Sequence, residues 1–152
     1  MSTPSASPRE DRRRLLLEAL GKQILVMDGA TGTALQGENL TPDDFGGPAL
    51  DGCNENLVLT RPDVVRRLHD TYLAAGADIV LTNTFGGTSL VLAEYGLEAQ
   101  ALEINREAAR IAREACAPHD STPRPRWVAG SMGPTTKAIS VTGGITFDGL
   151  VA

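Results

Sequence analysis

Three short stretches of this chain set polar side chains directly against glycine, the arrangement from which small-molecule sites are built. Asp28 heads Gly29-Ala30-Thr31-Gly32, Thr82-Asn83-Thr84-Phe85 runs into Gly86-Gly87, and Ser131 lies in Gly130-Ser131-Met132-Gly133-Pro134. Glycine lets backbone N–H groups approach a ligand closely. An acid in such a place can hold a substrate ammonium, or it can cap the turn that follows. Asn83 can bond a substrate or hold a turn, and the Ser131–Pro134 loop can cradle an anion or simply punctuate the chain.

Other catalytic signatures do not assemble. Gly29 to Gly32 lacks the G-x-G-x-x-G spacing that opens a dinucleotide-binding helix, and no G-x-x-x-x-G-K-[ST] phosphate loop occurs. His69 falls on an expected helix beside Asp70, where a packed or surface role is favoured over that of a base. His119 sits in a linker. Cys53 and Cys116 show no framework or metal-ligand spacing, so no catalytic or metal-binding residue is assigned.

The elements that must carry these stretches read clearly. Apolar residues from Ile24 to Met27 predict a strand that fills a core and delivers Asp28 at its carboxyl end. Further strands are expected over Asp78–Thr82 and Arg126–Ala129. Between them run helices. One starts from a Ser7-Pro8-Arg9-Glu10 capping box and stops at Gly21. A second is capped by Thr60 and ends at Gly76, with Val64, Val65, Leu68, Tyr72 and Leu73 on one face. A short helix covers Thr88–Tyr95. A longer one, Glu98–Ala117, turns Leu102, Ala108, Ile111, Ala112 and Ala115 inward. Thr146 caps a last helix from Phe147. The stretch from Gln36 to Leu59 reads as a long connection, a length that signals function. Strands alternating with helices imply a parallel sheet, and such sheets place their sites at the strands' carboxyl ends. That rule tips Asp28 toward function.

Bulk properties narrow the partners. The 152 residues are 41% hydrophobic but only 4% aromatic, so the core is aliphatic. A net charge of −5, with positive charge concentrated only at Arg9 and Arg12–Arg14, argues against nucleic acid. No apolar run is long enough to span a membrane, and the Ser/Pro-rich residues 1–7, expected as a disordered tail, have no signal-peptide character. Two scattered cysteines suit a reducing cytoplasm.

The strand ends resemble the homocysteine S-methyltransferases, and within them the cobalamin-dependent methionine synthase branch. The collinear stretches are Met27–Thr33, Gly52–Glu55 with Leu59–Asp63, Tyr72–Asp78, Thr82–Gly86, Ala93–Leu97, Gly130–Thr135 and Ile145–Leu150. The resemblance implies an α/β fold, a (β/α)8 TIM barrel. This chain, over 8–152, would supply only the first part of it, about three strands and their helices. It implies a methyltransferase of amino-acid biosynthesis, passing a methyl group from methylcobalamin, ultimately from methyltetrahydrofolate, to homocysteine to give methionine. S-methylmethionine or betaine as donor, or a non-catalytic amino-acid-binding module, are the alternatives.

Carried over residue by residue, Asp28 is expected at the homocysteine amino group and the Gly29–Ala30 backbone at its carboxylate. Thr82 and Asn83 would line the pocket, with Asn54, Glu55, Ser131 and Gly133 as further lining. The resemblance also implies zinc on the substrate sulfur. A free thiol has a pKa of about 8.5 and attacks only as thiolate, which a metal ion generates outright. The family's zinc ligands are a lone cysteine and a later Cys-Cys pair, which this chain lacks. Zinc ligands are therefore expected beyond residue 152, methylcobalamin on another module, and folate-, cobalamin- and activation-type modules as partners.

Overall fold

The computed structural model describes residues 8–137, 139 and 143–151. The tail expected over 1–7, and the Ser7 cap with it, lie outside them. Helix α1 (Pro8–Leu20) is followed by an extended stretch, then by α2 (Thr31–Gln36), α3 (Leu57–Thr60) and α4 (Pro62–Ala75). Strand β1 (Ile79–Leu81), α5 (Ser89–Leu92), α6 (Ala101–Cys116), β2 (Trp127–Ala129) and α7 (Phe147–Val151) complete the order.

β1 and β2 pair in parallel, with Ile79 opposite Trp127, Val80 opposite Val128 and Leu81 opposite Ala129. The first expected strand is present only as a single parallel bridge, Met27 to Ile79. Val26 O accepts from Asp78 N at 2.7 Å and Ile79 N at 3.1 Å, and Asp28 N donates to Ile79 O at 3.0 Å. The segment therefore lies where a strand was expected, but its apolar side chains do not fill a core. Ile24 is 90% exposed and Met27 51%. The reason is one of neighbours: among the described residues this segment pairs along one edge only, and Val26 as well as Ile24 stays more than half exposed.

Asp78 clasps the amino end of this sheet. Its carboxylate accepts from Val26 N at 3.0 Å and from the buried Arg126 guanidinium at 3.1 Å. One side chain thus bonds the chain segments that lead into both of β1's neighbours.

α4 and α6 pack together, and both contact the sheet. α4 is held by the 3.6-residue spacing of Val65, His69 and Leu73, all buried, together with Val64. Leu68 and Tyr72, expected inside, are half-buried, and His69 takes the core position between them. α6 buries Ile104, Ala108, Ile111, Ala112 and Ala115. Its alanines let the helix approach the sheet closely, where Val80, Leu73 and Cys116 share one cluster with Ala112 and Ala115. Leu102, expected to face inward, is 72% exposed. Two residues before Ile104, it is rotated about 200° from that side chain at 100° per residue, onto the opposite face. On its outer face Arg110 bonds Glu107 at 2.8 Å and Glu114 at 2.7 Å.

The two threonine caps expected at helix starts have opposite outcomes. Thr60 does not cap α4; it closes α3, its hydroxyl donating to Asn56 O at 3.2 Å, and Arg61 precedes Pro62 at the helix start. Thr146 does cap α7, accepting from Gly149 N at 3.1 Å. The stretch from 36 to 59 is not a structureless connection. It folds into consecutive tight turns and α3, anchored by buried Asn56, whose Nδ2 donates to Phe45 O at 2.7 Å. Phe45, Cys53, Leu57 and Val58 sink into the larger core cluster with Val64, Val65 and Ile104.

Candidate functional site

The three glycine-bearing stretches meet at the carboxyl ends of the sheet. Asp28 arrives there on the bridge segment and turns its side chain into the protein, where only 4% of it is exposed. Oδ1 accepts from Leu81 N at 2.8 Å, and Oδ2 lies 4.0 Å from His69 Nδ1. Burial pushes the carboxyl above the ordinary aspartate range, against the lowering effect of the Leu81 N–H. Ala30, two residues on, adopts φ 51° and ψ 31°. A left-handed alanine costs of order 1 kcal/mol, so the turn after Asp28 is held against local preference.

The β1 and β2 ends are stitched together by threonine hydroxyls. Thr82 and Thr84 are buried and bond each other at 2.7 Å; Ser131 N donates to Thr82 Oγ1 at 3.0 Å, and Thr84 Oγ1 donates to Ser131 O at 2.8 Å. Gly133 N donates to Phe85 O at 2.8 Å. A Cβ at Gly133 would sit 2.7 Å from both that oxygen and the Phe85 ring, so only glycine fits this approach. Gly133 is a packing glycine between two loops.

The loop before α3 reinforces the same end. Asn83 Nδ2 donates to Asn54 O at 2.7 Å, and Gly86 N donates to Glu55 Oε1 at 2.7 Å. Asn54 and Glu55, expected as pocket lining, therefore meet the β1 loop: Asn54 through its carbonyl, Glu55 through its carboxylate. Among the described residues the Asn83 amide oxygen has no hydrogen-bond partner. Asn105 of α6 closes the loop from the other side, donating to Gly87 O at 2.6 Å. Phe85 and Met132 remain exposed at this rim, 62% and 85%.

His69, expected as a packed or surface residue, is packed. It is 1% exposed, and neither ring nitrogen has a hydrogen-bond partner. Burial lowers its pKa from 6.5 to about 4, so the ring is neutral near pH 7. The signal was its place in the Val65–His69–Leu73 spacing, which aims it at the sheet under Asp28.

No group of three His, Cys, Asp or Glu side chains is placed to hold a metal ion among the described residues. Cys53 and Cys116 lie in separate core clusters, and burial pushes both thiols up, Cys116 to about 11. A metal ligand needs the opposite, an easily formed thiolate. A groove of about 850 Å³ runs beside β2 between Arg12, Arg113, Cys116 and Trp127, and meets the strand ends at Thr82 and Gly130.

Residues 25–152 match the family model of homocysteine S-methyltransferase. The chain belongs to the homocysteine S-methyltransferase family. Methionine synthase of Mycobacterium tuberculosis (strain ATCC 25618 / H37Rv) is 46% identical over 122 residues, which are 80% of this chain and 10% of that protein. Two crystal structures of the homocysteine methyltransferase MmuM from Escherichia coli share the fold. The oxidized form gives a TM-score of 0.64 at 29% identity, over 78% of this chain and 40% of that one. The metallated form gives 0.62 at 28%, over 80% and 41%. The chain thus spans about a tenth of the curated relative and two fifths of the solved structures. The matched region takes in all three strand ends, so this family's similarity and the convergent geometry fall on the same residues.

Proposed function

We propose that this chain is the homocysteine-binding part of a methionine synthase, forming the first strands and helices of a (β/α)8 barrel. The observation that carries the reading is Asp28. One of its oxygens is fixed by a backbone N–H and the other is not hydrogen-bonded, and the carboxylate is desolvated enough that a cation beside it is favoured. An amino acid's ammonium group fits that demand. The Gly29–Ala30 turn offers backbone N–H groups for the substrate carboxylate. Asn83 presents an amide oxygen, while Thr82, Ser131 and Gly133 fix the wall behind it. Asn54 and Glu55 hold the β1 loop in position. The higher identity to a methionine synthase than to MmuM supports that branch over the donors S-methylmethionine and betaine.

The residues described here bind and orient; they do not fit the zinc that the family reading expects at the substrate sulfur, and no step is derived through it. Zinc and methylcobalamin, the latter recharged from folate, belong in this reading to other segments and modules of the enzyme, working in the cytoplasm.

Calorimetric titration of L-homocysteine is the test. Asp28→Asn removes the charge that faces the ammonium and is expected to weaken binding at least tenfold, since hydrogen bonds to charged groups contribute about 1.5–3 kcal/mol. Equal affinity of wild type and variant refutes the assignment.

A further inference from the structure

We infer that His69 is a positioning residue for Asp28: a neutral imidazole whose Nδ1–H points at Oδ2 and fixes the carboxylate for a ligand cation. The inference rests on the reading of Asp28 given above and adds the group that orients it.

Three observations lead there. Both nitrogens of His69 are buried and unpartnered, a condition that in a native interior calls for an explanation. Its nearest carboxylate is Asp28, 4.0 Å from Nδ1, too long for a settled hydrogen bond but close enough that the ring's orientation matters. Oδ1 of the same carboxylate is already held by Leu81 N–H, so only rotation of Oδ2 is left to control.

The tautomer follows from electrostatics. With the proton on Nε2, the Nδ1 lone pair would face a carboxylate oxygen across a poorly solvated gap, which is repulsive. With the proton on Nδ1, the N–H dipole faces the negative oxygen, and the unpartnered atom becomes the Nε2 lone pair. A neutral donor also preserves what the site needs. An arginine or lysine there would neutralise Asp28 and compete with the incoming ammonium. A neutral ring steadies the carboxylate and leaves its full negative charge for the ligand. The other charged groups near His69, Arg66 and Asp70, bond each other at 3.1 Å on the outer side of α4.

The test has two arms on the full chain. Long-range proton–nitrogen NMR of the histidine rings, assigned by loss of the His69 signals in His69→Asn, reads the tautomer directly. The Nδ1–H form is expected, and the Nε2–H form overturns the inference. In the second arm L-homocysteine is titrated into Asp28→Asn, His69→Phe and His69→Asn. Phenylalanine fills the space without a donor and is expected to weaken binding about tenfold. Asparagine, with an N–H near the Nδ1 position, is expected to recover most of that loss. A purely structural histidine would leave both affinities equal to wild type, since an apolar ring serves packing as well. Unweakened binding by Asp28→Asn sinks the ammonium assignment. Weakened binding there together with unchanged binding by His69→Phe sinks the role of His69 alone.

Discussion

Replacing Gly133 by alanine tests whether the loops after β1 and β2 are locked by a contact that no side chain can enter. The added Cβ would lie 2.7 Å from Phe85 O, 2.7 Å from Phe85 Cε1 and 2.8 Å from Cδ1. Ordinary carbon contacts begin near 3.4 Å, so the loops must part by about 0.7 Å, and one of the obstructing atoms is backbone. Overpacking of this kind costs about 1–3 kcal/mol, and the Gly133 N–Phe85 O bond at 2.8 Å, weakened by the shift, contributes about 1 kcal/mol more. The alanine recovers about 0.4–1 kcal/mol by restricting the unfolded chain. The net loss is about 1–3 kcal/mol, which at a urea dependence of about 1–3 kcal/mol per molar lowers the unfolding midpoint by about 1 M. Gly130→Ala is the internal control, because its Cβ would meet nothing within 4 Å. That variant should unfold at or slightly above the wild-type midpoint in the same circular-dichroism titration. Equal midpoints for the two alanine variants would refute the argument.

Acid should expose the burial of His69. Its folded pKa, about 4, lies below its ordinary 6.5, so its neutral form favours the fold fully above pH 6.5 and that stability is lost as pH falls toward 4. The linkage amounts to about 2 kcal/mol at pH 5, partly offset by Asp28, whose raised carboxyl pKa makes protonation favour the fold. The gap in unfolding free energy between wild type and His69→Phe should therefore shift against wild type on going from pH 7.5 to 5; a pH-independent gap contradicts this. Asn56→Ala strands the buried Phe45 carbonyl and should cost about 1–3 kcal/mol in urea unfolding, with a change under 0.5 kcal/mol counting against it.

Much of this fold was legible in the chain. The helices α4 and α6 follow from spacing and glycine or proline stops, and β1 and β2 from short apolar runs before polar strand ends. Legibility failed where a partner decides the outcome. Ile24–Met27 reads as a buried strand because its residue types suit burial on both sides, yet a pattern carries no information about which neighbours are present. Leu102 was misplaced because a helix with alanine on its inner face offers little contrast between faces. At the site, residue types singled out three turns that the structure brings to one end of the sheet, but not how those turns bond one another. That Glu55 and Gly133 hold loops together, and that His69 lies under Asp28, depends on contacts between segments distant in sequence.

The Asp78 clasp has a consequence for alignment. Side chains alternate faces along a strand, so slipping one segment by a single residue would turn Asp28 away from Leu81 and His69 altogether. With strands only three residues long, the sheet's own ladder offers little resistance to such a slip. The carboxylate that bonds Val26 N and Arg126 at the far end acts as an index mark, selecting one setting of three sliding rules. The setting of Asp28 against Leu81 is thus inherited from a carboxylate at the opposite end of the sheet.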